Sequence, residues 1–172
     1  LPPSPKCDDS TFLRRAYLDT IGTLPTADET RAFLADASTD KRDKLIDHLL
    51  SRPEFVDYWA YKWSDLLLLS GERLRPEAIK AYYGFIRKSA EENKPWDTCV
   101  YEIVTASGST FENGAANVYA LHQDPEGMAE TVSQAFLGLS INCAKCHIHP
   151  LEKWTIVLYY GMSNLFCCVW AN

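Results

Sequence analysis

The chain has 172 residues, 47% of them hydrophobic and 23% charged, and a net charge of −6. That is the length and composition of a globular chain able to bury a real core. The acidic balance and the lack of any basic stripe argue against nucleic acid as a partner. No apolar run approaches the ~20 residues that cross a bilayer; the longest candidate, Leu66 to Leu69, falls far short.

The opening Leu1-Pro2-Pro3-Ser4-Pro5 is too proline-rich for helix or strand, and residues 1–9 read as a linker or arm. No charged-then-apolar leader precedes it, as expected of a mature N-terminus from which one has been cleaved. From Asp8 the pattern turns helical. Ser10 or Asp9 can cap a first helix whose apolar face is Phe12, Leu13, Ala16, Tyr17 and Ile21, stopped by Gly22 and Pro25. Thr26 caps a second helix, with Asp28 and Glu29 where the helix dipole favours acid. Ser38 or Thr39 starts a third, through Leu45, Ile46, Leu49 and Leu50. Pro53 opens a fourth, with an aromatic face from Phe55 to Trp63 that reads as core, and Gly71 ends it. Pro76 opens a fifth, closed by Lys94-Pro95, and residues 96–106 make a short sixth.

The texture then changes. Ser107 to Thr110 and Glu112-Asn113-Gly114 are turn formers, so residues 107–124 are expected to form an irregular loop. Asp124 caps a further helix with Pro125 at its first position. Its apolar face of Met128, Ala129, Val132, Ala135, Phe136 and Leu139 is expected to lead straight into Cys143. Residues 152–170 are again apolar and aromatic. Strand signals are weak throughout. The expected architecture is all-α: an irregular multi-helix bundle, with residues 10–172 a single domain whose helical part reaches about residue 106 and whose functional part follows.

The chemistry is concentrated in Cys143-Ala144-Lys145-Cys146-His147, followed by Ile148-His149-Pro150. Cys-x-x-Cys-His is the spacing of covalent c-type haem attachment. Two thiols three positions apart reach the two vinyl groups of one porphyrin, and the adjacent imidazole then falls under the iron. In that reading Cys143 and Cys146 form thioethers and His147 is the proximal ligand. A zinc reading would use Cys143, Cys146, His147 and His149, but four ligands within seven residues crowd a tetrahedron, and no distant second pair exists. A thioredoxin-like redox pair wants a βαβ setting that is lacking. The spacing favours one covalent haem c.

For the sixth iron position, Met162 leads, lying on a segment that could fold back over the haem. Met128 and His122 are the alternatives, and a site with no protein ligand there is a further one. An intact helix would hold Met128 ~20 Å from Cys143, whereas His122 sits in the expected loop. His149 reads as a hydrogen-bonding residue of the His149-Pro150 turn, and His48 as a surface residue. The remaining Cys7, Cys99, Cys167 and Cys168 leave a disulfide open.

Several blocks carry a resemblance. Phe12-Leu13-Arg14-Arg15 through Gly22, Ser51-Arg52-Pro53-Glu54-Phe55, Asn93-Lys94-Pro95-Trp96-Asp97 and Phe136-Leu137-Gly138 are among them. With Cys143 to His147 and His149-Pro150-Leu151-Glu152-Lys153-Trp154, the chain resembles the cytochrome c-like domain family of planctomycetes and related bacteria. Ile156-Val157-Leu158, Cys167-Cys168 and Trp170 depart from that family's more polar pattern. The resemblance implies an exported, haem-bearing protein of the periplasm, cell envelope or extracellular space.

The expected function is that of a monohaem c-type cytochrome carrying electrons to a redox partner protein or a neighbouring haem subunit, with homo-oligomers open to it. No catalytic constellation stands beyond the iron, so an electron carrier is expected rather than an enzyme with its own substrate. Two rivals are a structural subunit of a haem-containing complex or filament, and a haem enzyme or ligand sensor with an open sixth position.

Overall fold

The computed structural model describes residue 2, residues 4–122 and residues 124–168. The apolar and aromatic stretch read over residues 152–170, with Trp170, therefore extends beyond the described residues. Those described are helical and loop, with no strand among them, as the sequence leads one to expect of an all-α chain. They divide into two compact units, Leu1–Lys62 and Trp63–Asn172, so that the change of texture near residue 107 falls inside the second.

The first unit opens with α1 (Asp9–Ile21). Asp8, rather than Ser10 or Asp9, caps it, accepting from the Thr11 N–H at 2.7 Å. Gly22 ends it in the left-handed region, where its N–H reaches the Tyr17 carbonyl. A β-carbon there would stand 2.3 Å from the Tyr58 ring, so close packing and backbone conformation both call for glycine. Helix α2 (Ala27–Ala35) starts with a capping box between Thr26 and Glu29. Helix α3 (Lys41–Leu50) begins later than expected. Ser38 turns its N–H to the Asp36 carboxylate, and Asp40 is the boundary residue. Leu13, Tyr17, Ile21, Phe33 and Leu49 are buried together, with Phe12, Leu45, Ile46 and Phe55 packed on them.

Helix α4 (Pro53–Leu66) crosses from one unit into the next. It stops five residues before Gly71, because Leu68 turns left-handed and the Leu69 N–H bonds back to the Ser64 carbonyl. In the second unit follow α5 (Pro76–Glu91) and α6 (Trp96–Val104). The expected loop at 107–124 requires correction. It contains a 3-10 turn (Gly114–Ala116) and helix α7 (Asn117–Leu121). Turn formers dominate its sequence, yet Ala115, Ala116, Val118 and Leu121 are buried, and their burial outweighs local preference. Asn117 is buried too, and its amide donates to the Thr110 and Gly114 carbonyls, pinning the turn.

Helix α8 (Pro125–Leu137) starts as expected, with Asp124 accepting from the Gly127 N–H. It does not run into Cys143. Gly138 adopts the left-handed conformation and terminates it, and the N–H groups of Gly138 and Leu139 both return to Ser133. A second 3-10 turn (Asn142–Lys145) and helix α9 (Ile156–Asn164) complete the described elements. Trp63, Trp96 and Phe136 form an edge-to-face series at 5.1 and 5.8 Å. Tyr159 is buried and donates to Glu130 at 2.6 Å, joining α9 to α8.

Candidate functional site

The Cys143–His147 segment is held from beneath. Ile141 and Ala144 are fully buried, one on each side of Cys143. With its inner residues anchored, the 3-10 turn closes through the Cys146 N–H on the Cys143 carbonyl. Side chains three positions apart on such a turn line up. Cys143 and Cys146 therefore leave the turn on one side, and both are exposed free thiols. The other four cysteines are free as well, Cys99 in the core and Cys7, Cys167 and Cys168 more open, so the disulfide that the sequence left open is not formed.

His147 follows, exposed, with Nδ1 at 2.7 Å from the carbonyl oxygen of Ile148. A carbonyl only accepts, so Nδ1 carries the hydrogen and Nε2 keeps its lone pair. That is the arrangement a metal-binding imidazole uses, its second nitrogen held by a backbone oxygen. The Ile148 carbonyl is a functional group that residue identity could not point to.

His149 has the opposite tautomer. Its Nδ1 accepts from the Leu151 and Glu152 N–H groups at 3.2 and 2.9 Å, which places its hydrogen on Nε2. Its own N–H reaches the Trp154 carbonyl at 2.9 Å and closes the loop. His149 thus has no lone pair to give, and a four-ligand zinc site is one donor short. Among the described residues no group of three or more His, Cys, Asp or Glu side chains is arranged around a metal position.

The margin of the site is apolar. Helix α9 has no charged side chain along its length. It packs on the cysteine turn and on α8, with Tyr159 and Ser163 turned inward and Phe166 buried just beyond its end. Its other face is open: Val157 is 79% and Leu165 69% exposed, and near the motif Ile148 and Leu151 are exposed too. A helix that is apolar all round is ordinarily covered all round. Two free thiols, one available imidazole nitrogen and an uncovered apolar margin fit the attachment needs of a porphyrin.

The three residues expected to compete for the far side of the iron have different settings. Met162 is half-buried on α9, on the arc that carries Tyr159 and Phe166. Met128 is 3% exposed in the core face of α8, which also buries Ala129 and Val132. His122 is not in a loose loop; it is the residue that ends α7. It lines a cleft of about 600 Å³ with Arg73, Asp124, Glu130, Thr131 and Asn142, the last being the residue before Cys143. Its Nε2 is closed off from solvent without a hydrogen-bond partner. Burial, helped by the charge of Arg73, lowers its pKa and keeps the ring neutral. Arg73 donates to the Leu121 carbonyl, fixing the end of α7 beside it. No sequence motif marks Arg73 or the cleft, whose lining draws on the segment from Asp65 to Arg73 as well as on α8 and Asn142.

No helix among the described residues is long and apolar enough to cross a membrane. No curated protein and no solved structure matches the chain. The chain belongs to the PSCyt2 family, described as a protein of unknown function (DUF1549), which matches residues 1–170. This corrects the resemblance to a cytochrome c-like domain family of exported haem proteins. The family found has no assigned function, and its match brings with it neither haem nor export.

Proposed function

We propose that this PSCyt2-family chain is a monohaem c-type cytochrome, an electron carrier of the cell envelope or the extracellular space. One observation carries the reading: His147 holds its Nδ1 hydrogen on the Ile148 carbonyl, and so keeps Nε2 free beside two unpaired, exposed thiols. In this reading Cys143 and Cys146 are the thioether sites and His147 the proximal ligand. A bound haem supplies a one-electron iron couple. The chain's own part is to attach, orient and shield. The buried Ala144 and Ile141 fix the turn from which the thiols project. The Ile148 carbonyl sets the plane and raises the basicity of the imidazole. The uncharged α9 limits water at the margin. An attachment turn whose thiols are exposed leaves a short path to a redox partner protein or a neighbouring haem subunit.

The test is a pyridine haemochrome spectrum, with the intact mass, of protein made in a host able to attach haem. The expected result is a c-type spectrum and a mass increment of one haem, both lost in the Cys143→Ser, Cys146→Ser double variant. A colourless wild-type protein of unmodified mass would overturn the reading.

A further inference from the structure

We infer that the uncovered face of α9 binds the same face of a second copy of this chain, the two helices antiparallel and crossing at Gly161. Val157, Gly161 and Leu165 follow one another at intervals of four and share one stripe of the helix, with Leu158 alongside. Leu165 belongs to this stripe because its backbone keeps the helical conformation. The opposite side carries the buried Tyr159 and Ser163, so the stripe points away from the chain's own core. Val157 is 79%, Leu165 69% and Leu158 52% exposed.

Gly161 sets this face apart from apolar surface in general. A β-carbon there would meet nothing within 4 Å. An exposed helix interior ordinarily favours alanine over glycine, and no contact inside the chain asks for the smaller residue. Gly84 in α5 has the same open surroundings, but its neighbours four residues away are the exposed Lys80 and Lys88, which belong in water. The neighbours of Gly161 at that spacing are apolar. A glycine between exposed apolar side chains lets a second backbone approach closely.

The stripe is complementary to itself, and this selects a second copy as the occupant. In an antiparallel pair related by a two-fold axis, a residue before the crossing point meets one equally far beyond it on the other copy. With the crossing at Gly161, Leu158 of each copy meets Leu165 of the other, and Val157 meets Asn164. Beside Val157 lies a groove of about 500 Å³ between α9 and the start of α8, lined by Pro125, Glu126, Tyr160, Gly161 and Asn164 among others. In the pair it receives the other copy's Val157. Charge agrees with this. The chain carries −6, yet α9 has no charged side chain, and among the described residues lining the groove Glu126 alone is charged. Two copies meet here with little repulsion. A helix of nine residues is about 14 Å long. The contact is therefore smaller than the ~800 Å² a side of a standard interface, and the dimer is a weak one.

The test is sedimentation equilibrium of the full-length chain at neutral pH over micromolar to millimolar concentrations. We expect a monomer–dimer equilibrium that tightens with added salt and stops at the dimer, because a two-fold contact is closed. Gly161→Ala should raise the melting temperature in dilute solution through helix propensity. It should nevertheless weaken the dimer by about tenfold or more, through the methyl groups it sets at the crossing. Gly84→Ala should raise the melting temperature with no change in association. A wild type that stays monomeric throughout, a dimer that Gly161→Ala leaves intact, or assembly beyond the dimer would each overturn the inference. The measurement serves for the chain with or without haem, so its failure leaves the haem reading standing.

Discussion

At Gly114 the chain crosses α5 so closely that a β-carbon would stand 2.3 Å from the Ala81 carbonyl oxygen and 2.7 Å from Phe85 Cβ. Because the nearest obstacle is backbone, little can give way. Gly114→Ala should therefore destabilise the protein by about 1–3 kcal/mol, the ordinary cost of overpacking. At Gly84, inside α5, a β-carbon would meet nothing within 4 Å. Gly84→Ala should instead stabilise by roughly 0.5–1 kcal/mol through helix propensity. Urea denaturation of the pair checks both signs. In the sequence Gly114 looks like a turn former, which it is, but its stronger reason lies in a helix some thirty residues away. Cys143, Cys146 and His147 stand out in the sequence because Cys-x-x-Cys-His is a spacing used for haem attachment. The Ile148 carbonyl is illegible because every residue has one.

Among the elements, α2 shows how a local cap acquires a tertiary role. The Glu29 carboxylate accepts from the Thr26 N–H and hydroxyl at 2.7 and 2.8 Å, and its other oxygen pairs with Arg52 at 2.8 Å. The Thr26 backbone bond, foremost, lowers its pKa from an ordinary 4.5 to about 2, with Thr26 hydroxyl, Tyr17 and Arg52 adding to it. A folded-state pKa below the unfolded one means that the unfolded chain takes the proton first. The contribution of Glu29 is thus complete above pH 4.5 and is lost as the pH falls from there toward 2. Glu29→Gln should flatten the loss of stability over that window in acid denaturation, in part only, since Glu54 shares Arg52 and titrates similarly. Thr26→Ala should cost about 1 kcal/mol at neutral pH. Where a helix end is a matter of neighbouring residues, as at Thr26, Pro53, Pro76 and Asp124-Pro125, the sequence is explicit. Where packing ends it, as for α4 at Leu66, the sequence misleads toward the next glycine.

Over the whole molecule, charge and exposed apolar surface oppose each other. The net charge of −6 and a sequence isoelectric point of about 5.2 mean that repulsion between copies vanishes in mild acid. Leu151, Val157 and Leu165 are then left to associate, being 89%, 79% and 69% exposed. Light scattering of the haem-free chain against pH should peak near 5.2, and Val157→Asp with Leu165→Lys, which leaves net charge unchanged, should lower that peak. Persistence of the full peak in the double variant would place the association elsewhere.

The sequence by itself determined the all-α class, most helix starts and the Cys143–His147 motif. These depend on periodicity, caps and covalent spacing, all of which act over a few residues. Only the tertiary structure decided that residues 114–121 are ordered, since burial against α5 overrides their turn-forming composition. It alone decided that Tyr159 meets Glu130, that Arg73 meets the Leu121 carbonyl, and that His122 lines one cleft with Asn142. Each of these depends on which groups meet across the fold, and a linear pattern does not record distance.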